Sequence, residues 1–201
     1  MRAQISVYNK TGVVSFARSL TEAGWEIVST GGTFRELVAN GVPAIPVSDI
    51  TGFPEILDGR VKTLHPMIHG GLLGRPGLSS DAVQLAEHHI TPIELLAVNL
   101  YPFEATIAKP GVTEAEAIEQ IGYRGTGNVR AAAKNHEYVL PVVDPADYND
   151  VLARLAQSDV DRPRRRSLAA KAFAHTSAYD AAVSRYLALV GDDGHFQQSS
   201  F

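Results

Sequence analysis

The chain contains no cysteine among its 201 residues. That excludes a disulfide-stapled scaffold, a zinc–thiolate centre and a cysteine nucleophile. It fits a reducing compartment, and the expectation is a cytoplasmic protein. Long apolar runs are missing as well: no stretch approaches the roughly 20 residues that span a bilayer. Met1-Arg2-Ala3-Gln4-Ile5-Ser6-Val7 also lacks the apolar centre of a secretory leader. Positive charge is in short supply, with 18 Lys and Arg against 22 Asp and Glu, a net charge of −4. Neither a nucleic acid nor an anionic membrane would be drawn to the molecule as a whole. A phosphate site has to be a local cluster of cations and backbone amides.

What is present reads as an ordinary globular protein. Hydrophobic residues make up 45% and charged residues 20% of the chain, and its length suffices for one well-filled core. An apolar run at residues 5–8 precedes a helical pattern over 11–23, with Val13, Val14, Phe16, Ala17 and Leu20 on one face. Gly24 ends that helix, and residues 25–29 read as a second strand. A short helix over 33–40 is closed by Gly41 and leads to a third strand at 44–47. This alternation predicts a mostly parallel sheet with right-handed crossovers.

Residues 51–78 are rich in Gly and Pro, and only an extended segment near 61–64 is legible there. Helices are expected at 79–89, 113–120 and 129–135, and strands at 95–100 and 138–143. Asp144-Pro145 has the form of a helix N-cap followed by proline in the first turn. Residues 163–190 carry Leu168, Ala172, Phe173, Thr176, Tyr179, Val183, Tyr186 and Leu187 at helical spacing, which predicts one or two packing helices. The arginine cluster at 162–166 reads as a solvated helix entrance. The expectation is a single domain over 1–190 and a tail or linker over 191–201.

Ser29-Thr30-Gly31-Gly32-Thr33 falls between a predicted strand and a predicted helix. Glycines there let the backbone approach an anion, and hydroxyls and helix-start amides point at it. Any tight strand-to-helix turn can use the same glycines. Lys10 would share that edge of the sheet, where open α/β sheets bind ligands; beside Thr11-Gly12 it equally has the form of a helix-start surface lysine. In Arg60-Val61-Lys62-Thr63-Leu64-His65-Pro66, an extended backbone would send Arg60 and Lys62 to one face. Paired like charges point to an anion, and the plainer alternative is a solvated strand edge. Asn99 and Tyr101 end the buried strand at the ligand edge, where an Asn amide can read a base and a tyrosine can simply cap the core. Lys134 lies in an Ala-rich helix, where a lone lysine usually faces solvent. His65 and His69 have no nearby carboxylate to complete a ligand set, so no metal is expected.

Taken in order, the segment from Ser29 to Thr33, the segment from Arg60 to Pro66, Asn99-Leu100-Tyr101-Pro102-Phe103 and Arg130-Ala131-Ala132-Ala133-Lys134-Asn135-His136 resemble one family. It is the inosine monophosphate cyclohydrolase domain of the bifunctional purine-biosynthesis protein. The likeness also takes in Ser6-Val7-Tyr8-Asn9-Lys10-Thr11-Gly12, Thr51-Gly52-Phe53-Pro54-Glu55 and Lys171-Ala172-Phe173-Ala174-His175-Thr176. It implies an α/β protein with a three-layer α/β/α, methylglyoxal-synthase-like fold, and a homodimer with a purine nucleotide as substrate and product. The implied reaction is dehydrative closure of 5-formamidoimidazole-4-carboxamide ribotide to inosine monophosphate, the last step of purine synthesis, with no metal and no organic cofactor. By this resemblance Tyr8, Asn9, Lys10, Thr30, Gly31, Gly32 and Thr33 bind the substrate, with Lys10 and Thr30 to Thr33 holding its phosphate. Arg60, Val61, Lys62, Thr63, Val98, Asn99, Tyr101 and Lys134 line the reacting end, and Lys134, Lys62 and Tyr101 form the catalytic set. Lys134 matches the proton-transfer lysine, whose pKa neighbouring Lys62 and Arg60 would lower by like-charge repulsion.

The resemblance breaks after Ile121. The family carries Asp-Ile-Gly-Gly-Pro or close to it there, and this chain has Gly122-Tyr123-Arg124-Gly125-Thr126-Gly127. A carboxylate is gone, an aromatic and a cation are new, and Gly122 and Tyr123 occupy substrate-binding positions. The transformylase domain that follows in the family is also absent from these 201 residues. Three readings result: a cyclohydrolase weakened by the altered loop, a non-catalytic purine-nucleotide-binding module of the same fold, and a methylglyoxal-synthase-type lyase acting on a triose phosphate. Tyr101-Pro102-Phe103 and the Arg130-to-Lys134 segment favour the nucleotide readings.

Overall fold

Five short strands pair in parallel: β1 (Arg2–Ile5), β2 (Glu26–Ser29), β3 (Ile45–Pro46), β4 (Leu95–Ala97) and β5 (Leu140–Val142). Their order across the sheet is β3-β2-β1-β4-β5, in a computed structural model that describes residues 1–57 and 59–191. The chain leaves β1 toward β2 and β3 on one side, then returns to β1's other side with β4 and β5. The switch in direction falls between β1 and β4, and the loops leaving those two strands diverge and open a crevice.

The strands bury both faces, each by alternate residues. Ala3, Ile5, Ile27, Leu95, Ala97, Leu140 and Val142 face one layer, made by α1 (Val13–Glu22), α2 (Gly31–Ala39) and α9 (Tyr148–Ala156). The rings of Phe16 and Tyr148 stack there with centroids 4.1 Å apart. Val28, Leu96 and Val98 face the other layer, made by α4 (Pro66–Leu73), α8 (Arg124–Lys134) and α10 (Arg162–Leu189). The architecture is therefore three-layer α/β/α.

Several boundaries differ from those predicted. β1 ends at Ile5: the Ser6 N–H still donates to the Ala97 carbonyl at 2.9 Å, but the Val7 N–H turns to the Thr33 hydroxyl at 3.0 Å. α2 starts at Gly31, two residues early, which places both glycines of the Ser29-to-Thr33 segment in its first turn. Between 51 and 78 the described residues hold no strand beyond a single bridge, Ile56 with Val61. The helix α4 was hidden there because its cap is a histidine: His65 Nδ1 accepts the Met67 N–H, with Pro66 in the first turn. α3 (Val47–Thr51) and α6 (Phe103–Ile107) are single turns without periodicity to betray them.

α8 begins at Arg124 and absorbs Gly125 and Gly127, where a glycine loop was expected. Packing favours glycine here: a Cβ on Gly125 would come within 2.8 Å of the Leu100 side chain and force it to shift, so glycine lets this helix sit close on the strand-end loop. Tertiary contact here overrides helix propensity. The C-terminal segment is one helix, α10, capped by Asp161 with its carboxylate accepting the Arg164 N–H at 2.8 Å. The arginine cluster is more than a solvated entrance. Arg164 pairs with Asp147 at 3.0 Å and Asp150 at 2.7 Å, and Arg165 donates to the carbonyls of Val160 and His136. α7 (Glu114–Glu119) falls within its expected span and starts in a capping box of Thr113 and Glu116, and Asp144 accepts the Ala146 N–H as its position before proline implied. α5 (Ser79–Glu87) matches its predicted span closely. Of the expected 191–201 tail, only Gly191 falls among the described residues.

Candidate active site

The crevice between β1 and β4 deepens into a cavity of about 410 Å³. At one end lies the start of α2. Thr30 caps this helix in extended conformation, and its hydroxyl pairs with the Ser6 hydroxyl at 2.8 Å instead of with a first-turn amide. The first-turn N–H groups therefore have no partner within the helix. Gly31 sits at φ 50°, a left-handed conformation that favours glycine. The Lys10 ammonium lies 3.7 Å from where a Cβ of Gly32 would be, and the Lys62 ammonium 3.8 Å from that of Gly31. Two ammonium groups beside a helix N-terminus make an arrangement that favours an anion. Thr33 sits behind it, its hydroxyl accepting from the Val7 N–H and donating to the Val7 carbonyl.

Asn99 serves this end rather than reading a base. Its Oδ1 accepts the N–H groups of Tyr8 and Asn9 at 2.7 and 2.8 Å, and its Nδ2 donates to the Asn9 carbonyl. The strand-end amide thus clamps the loop that carries Lys10. Asn9 turns its own side chain to the Thr11 N–H and does not line the cavity. Tyr8 does, and the Tyr101 ring meets it edge-on with centroids 4.4 Å apart. The Tyr101 phenol is held below its ordinary pKa, first by the adjacent Thr106 hydroxyl and then by the charge of Lys109.

The segment around Arg60 divides its residues. Lys62 and buried Thr63 line the cavity with Val98, whereas Arg60 and Val61 do not. Arg60 and Lys62 do not act as a pair on one face, because no strand forms: Arg60 ion-pairs with Glu119 and Lys62 with Glu55. The rewritten segment fastens onto this turn. The Tyr123 hydroxyl donates to the Arg60 carbonyl and the Arg124 guanidinium to the Gly59 carbonyl. The Gly122 N–H donates to the Tyr179 hydroxyl at 2.6 Å. Gly122 and Arg124 line the cavity, while Tyr123 is exposed outside it.

Lys134, like Asn9, Arg60, Val61 and Tyr123, does not line the cavity. It is exposed at the far end of α8 and borders a separate groove with Leu73, Arg130, Ala170 and Phe173. Within one chain it therefore lies away from Lys62, which lines the other cavity, contrary to the expected clustering of the two. Conversely, Gln4, Ser6, Arg124, Gly125 and Asn128 line the cavity and were not among the predicted site residues. The signal for two of them was in plain view: a Gln in an otherwise apolar buried strand, and an Asn beside an Ala-rich helical run. Among the described residues no group of three His, Cys, Asp or Glu side chains is placed to hold a metal, and no helix is long and apolar enough to cross a membrane.

A parallel sheet covered on both faces, with a polar cavity at its switch point, defines a three-layer α/β/α domain of the kind that binds ligands at that edge. Residues 12–126 match the MGS-like domain, and the chain belongs to that family. Residues 132–200 match the AICARFT/IMPCHase bienzyme family. The bifunctional purine biosynthesis protein PurH of Anoxybacillus flavithermus is 59% identical over 95% of the chain, and that of Chloroflexus aurantiacus 59% identical over 93%. The chain spans only 38% and 36% of those two proteins. Among solved structures, the crystal structure of ForH superposes with a TM-score of 0.83 and 38% identity, over 92% of this chain and 97% of that one.

One titrating group supports the cavity wall from behind. His175 Nε2 accepts the Leu100 N–H at 3.3 Å, so the ring must be neutral at that nitrogen. Burial holds its pKa below the ordinary value, opposed by Asp144 and assisted by Lys171. The folded state thus binds a proton less readily than the unfolded chain. Its contribution to stability is whole above the unfolded histidine pKa of about 6.5 and declines as pH falls from there toward the lower folded pKa. The melting temperature should drop over that window, and His175→Gln should flatten the drop; an unchanged pH profile in the variant would show that other groups carry it.

Proposed function

We propose that the chain is an inosine monophosphate cyclohydrolase, closing 5-formamidoimidazole-4-carboxamide ribotide to inosine monophosphate. The observation that carries this is the cavity's polarity. Lys10, Lys62 and the start of α2 form an anion site at one end, and Tyr101, packed against Tyr8, lines the same cavity. The PurH likeness over nearly the whole chain supports the same reaction. In it, the carboxamide nitrogen adds to the formyl carbon and its proton passes to the formyl oxygen. That addition closes the ring, and the new hydroxyl then leaves as water with the proton of the formamide nitrogen, which forms the ring's C=N double bond. The nitrogen is a poor nucleophile, so near-attack positioning supplies much of the rate, and a donor such as the Tyr101 phenol stabilises the developing oxyanion.

Phosphate recognition is tested by ligand-induced stabilisation. Inosine monophosphate should raise the melting temperature and inosine should not. Gly32→Val should abolish that difference by filling the space between the helix start and Lys10. Equal stabilisation by the free nucleoside would remove the phosphate assignment.

The chain works, in this reading, as a cytoplasmic homodimer. The exposed apolar groove with Leu73, Ala170 and Phe173 supports pairing, and Lys134 on its rim joins the chemistry only through that pairing. Lys134→Ala then decides its role: lost turnover with retained nucleotide affinity marks a proton-transfer group, and unchanged turnover leaves it a surface lysine.

The rewritten loop weakens the enzyme, since Gly122 offers no carboxylate to orient the substrate or a lysine. A Cβ at that position would lie 3.3 Å from the Tyr179 hydroxyl, which has to shift by a few tenths of an ångström to admit it. Gly122→Asp leaves the contacts of Tyr123 and Arg124 in place, so it isolates the carboxylate. Turnover of the formylated ribotide, followed by absorbance, should rise about 10²-fold. A variant no faster than the parent would mean that the carboxylate is not needed.

A further inference from the structure

β1 runs through the centre of the sheet, and Gln4 stands in register between Val28 of β2 and Leu96 of β4. Both neighbours belong to the apolar core under α4, α8 and α10. Gln4 is wholly buried there, yet neither its Oε1 nor its Nε2 has a hydrogen-bond partner. Asn128 of α8 is 2% exposed, and its Oδ1 is also unpartnered. Unpaired polar atoms in such surroundings cost free energy that an apolar side chain of similar size would avoid. The two amides are not scattered. Both line the cavity, Gln4 on the same side of its strand as Ser6, and Asn128 one turn beyond Arg124 and Gly125.

We propose that Gln4 and Asn128 form the specificity floor of the cavity, hydrogen-bonding the ring end of the bound nucleotide and selecting a buried edge with an N–H beside a C=O. The proposal rests on the nucleotide reading above and names what that reading leaves open. A primary amide presents one donor and one acceptor in a plane, and a lactam or carboxamide edge presents the complementary pair, so two N–H···O bonds form together. Asn128 Oδ1 accepts a further N–H, such as the second one of a carboxamide. A ring that buries carbon at this edge leaves the amides unpaired, and sites built to hydrogen-bond reject such analogues strongly.

The test compares inosine 5′-monophosphate with purine riboside 5′-monophosphate, which lacks only the 6-oxo group and the adjacent N–H. Calorimetric titration of the full chain should show inosine monophosphate binding at least ~30-fold more tightly. Gln4→Leu and, independently, Asn128→Leu should each shrink that ratio while leaving affinity for the purine riboside within a few-fold. The melting temperature of the unliganded variants should hold or rise, because unpaired polar atoms have been removed. Equal affinities in the parent chain overturn the proposal, as does a ratio that survives both substitutions. So does a fall in melting temperature with the ratio unchanged, which would mark the amides as partners of structural water. The two levels fail separately. A chain that shows the ratio but does not close the formylated ribotide loses the activity and keeps the floor, whereas a chain that binds neither nucleotide loses both.

Discussion

The parting of the chain on either side of β1 is the constraint from which the rest follows. In a parallel sheet each crossover must return over a face, so strands added first to one side and then to the other leave the middle strand with an uncovered carboxyl end. Here that end is flanked by β4, and the loops after Ile5 and Ala97 separate. The Asn99 amide then holds the Tyr8–Asn9 backbone and with it the approach of Lys10. Every polar group around the cavity is placed relative to that opening.

Charge in the site is arranged with its own counter-charge. Lys62 is paired with Glu55 and Arg60 with Glu119. Such pairs, partly exposed, contribute little stability. They do hold flexible cations in one place until a ligand anion competes for them. The segment at 122–124 adds to this restraint, because Tyr123 and Arg124 both donate to carbonyls of the turn that presents Lys62. The residues that depart from the family pattern are thus structurally employed even where their chemistry differs.

Much of the fold was legible in the chain. Phe16, Ala17 and Leu20 announce α1 through their spacing, Leu95 and Leu96 announce a buried strand, and Thr113 with Glu116 announces a helix start. The predictions failed where local preference yields to packing. α8 runs through two glycines because Gly125 must pass close to Leu100, and α4 relies on a histidine cap that propensity does not anticipate. At the site, the glycine turn, Lys10, Lys62, Thr63 and Tyr101 were readable as motif residues and do meet at one cavity. Asn99, Arg60 and Lys134 were equally readable, but their partners are not.

The sequence by itself determined the class of protein, its parallel α/β order, the absence of thiol chemistry and the motif set that aligns it with cyclohydrolase domains, since these depend on residue type and spacing along the chain. The tertiary structure alone decided which of those residues face one another. It turned Asn99 toward a backbone loop, sent Arg60 to Glu119, left Lys134 on a different groove, and placed Gln4 and Asn128 unpaired on the same cavity floor. The physical reason is that hydrogen bonds and ion pairs are short-ranged, so residues distant in sequence acquire roles only when folding sets their separation to within an ångström or so.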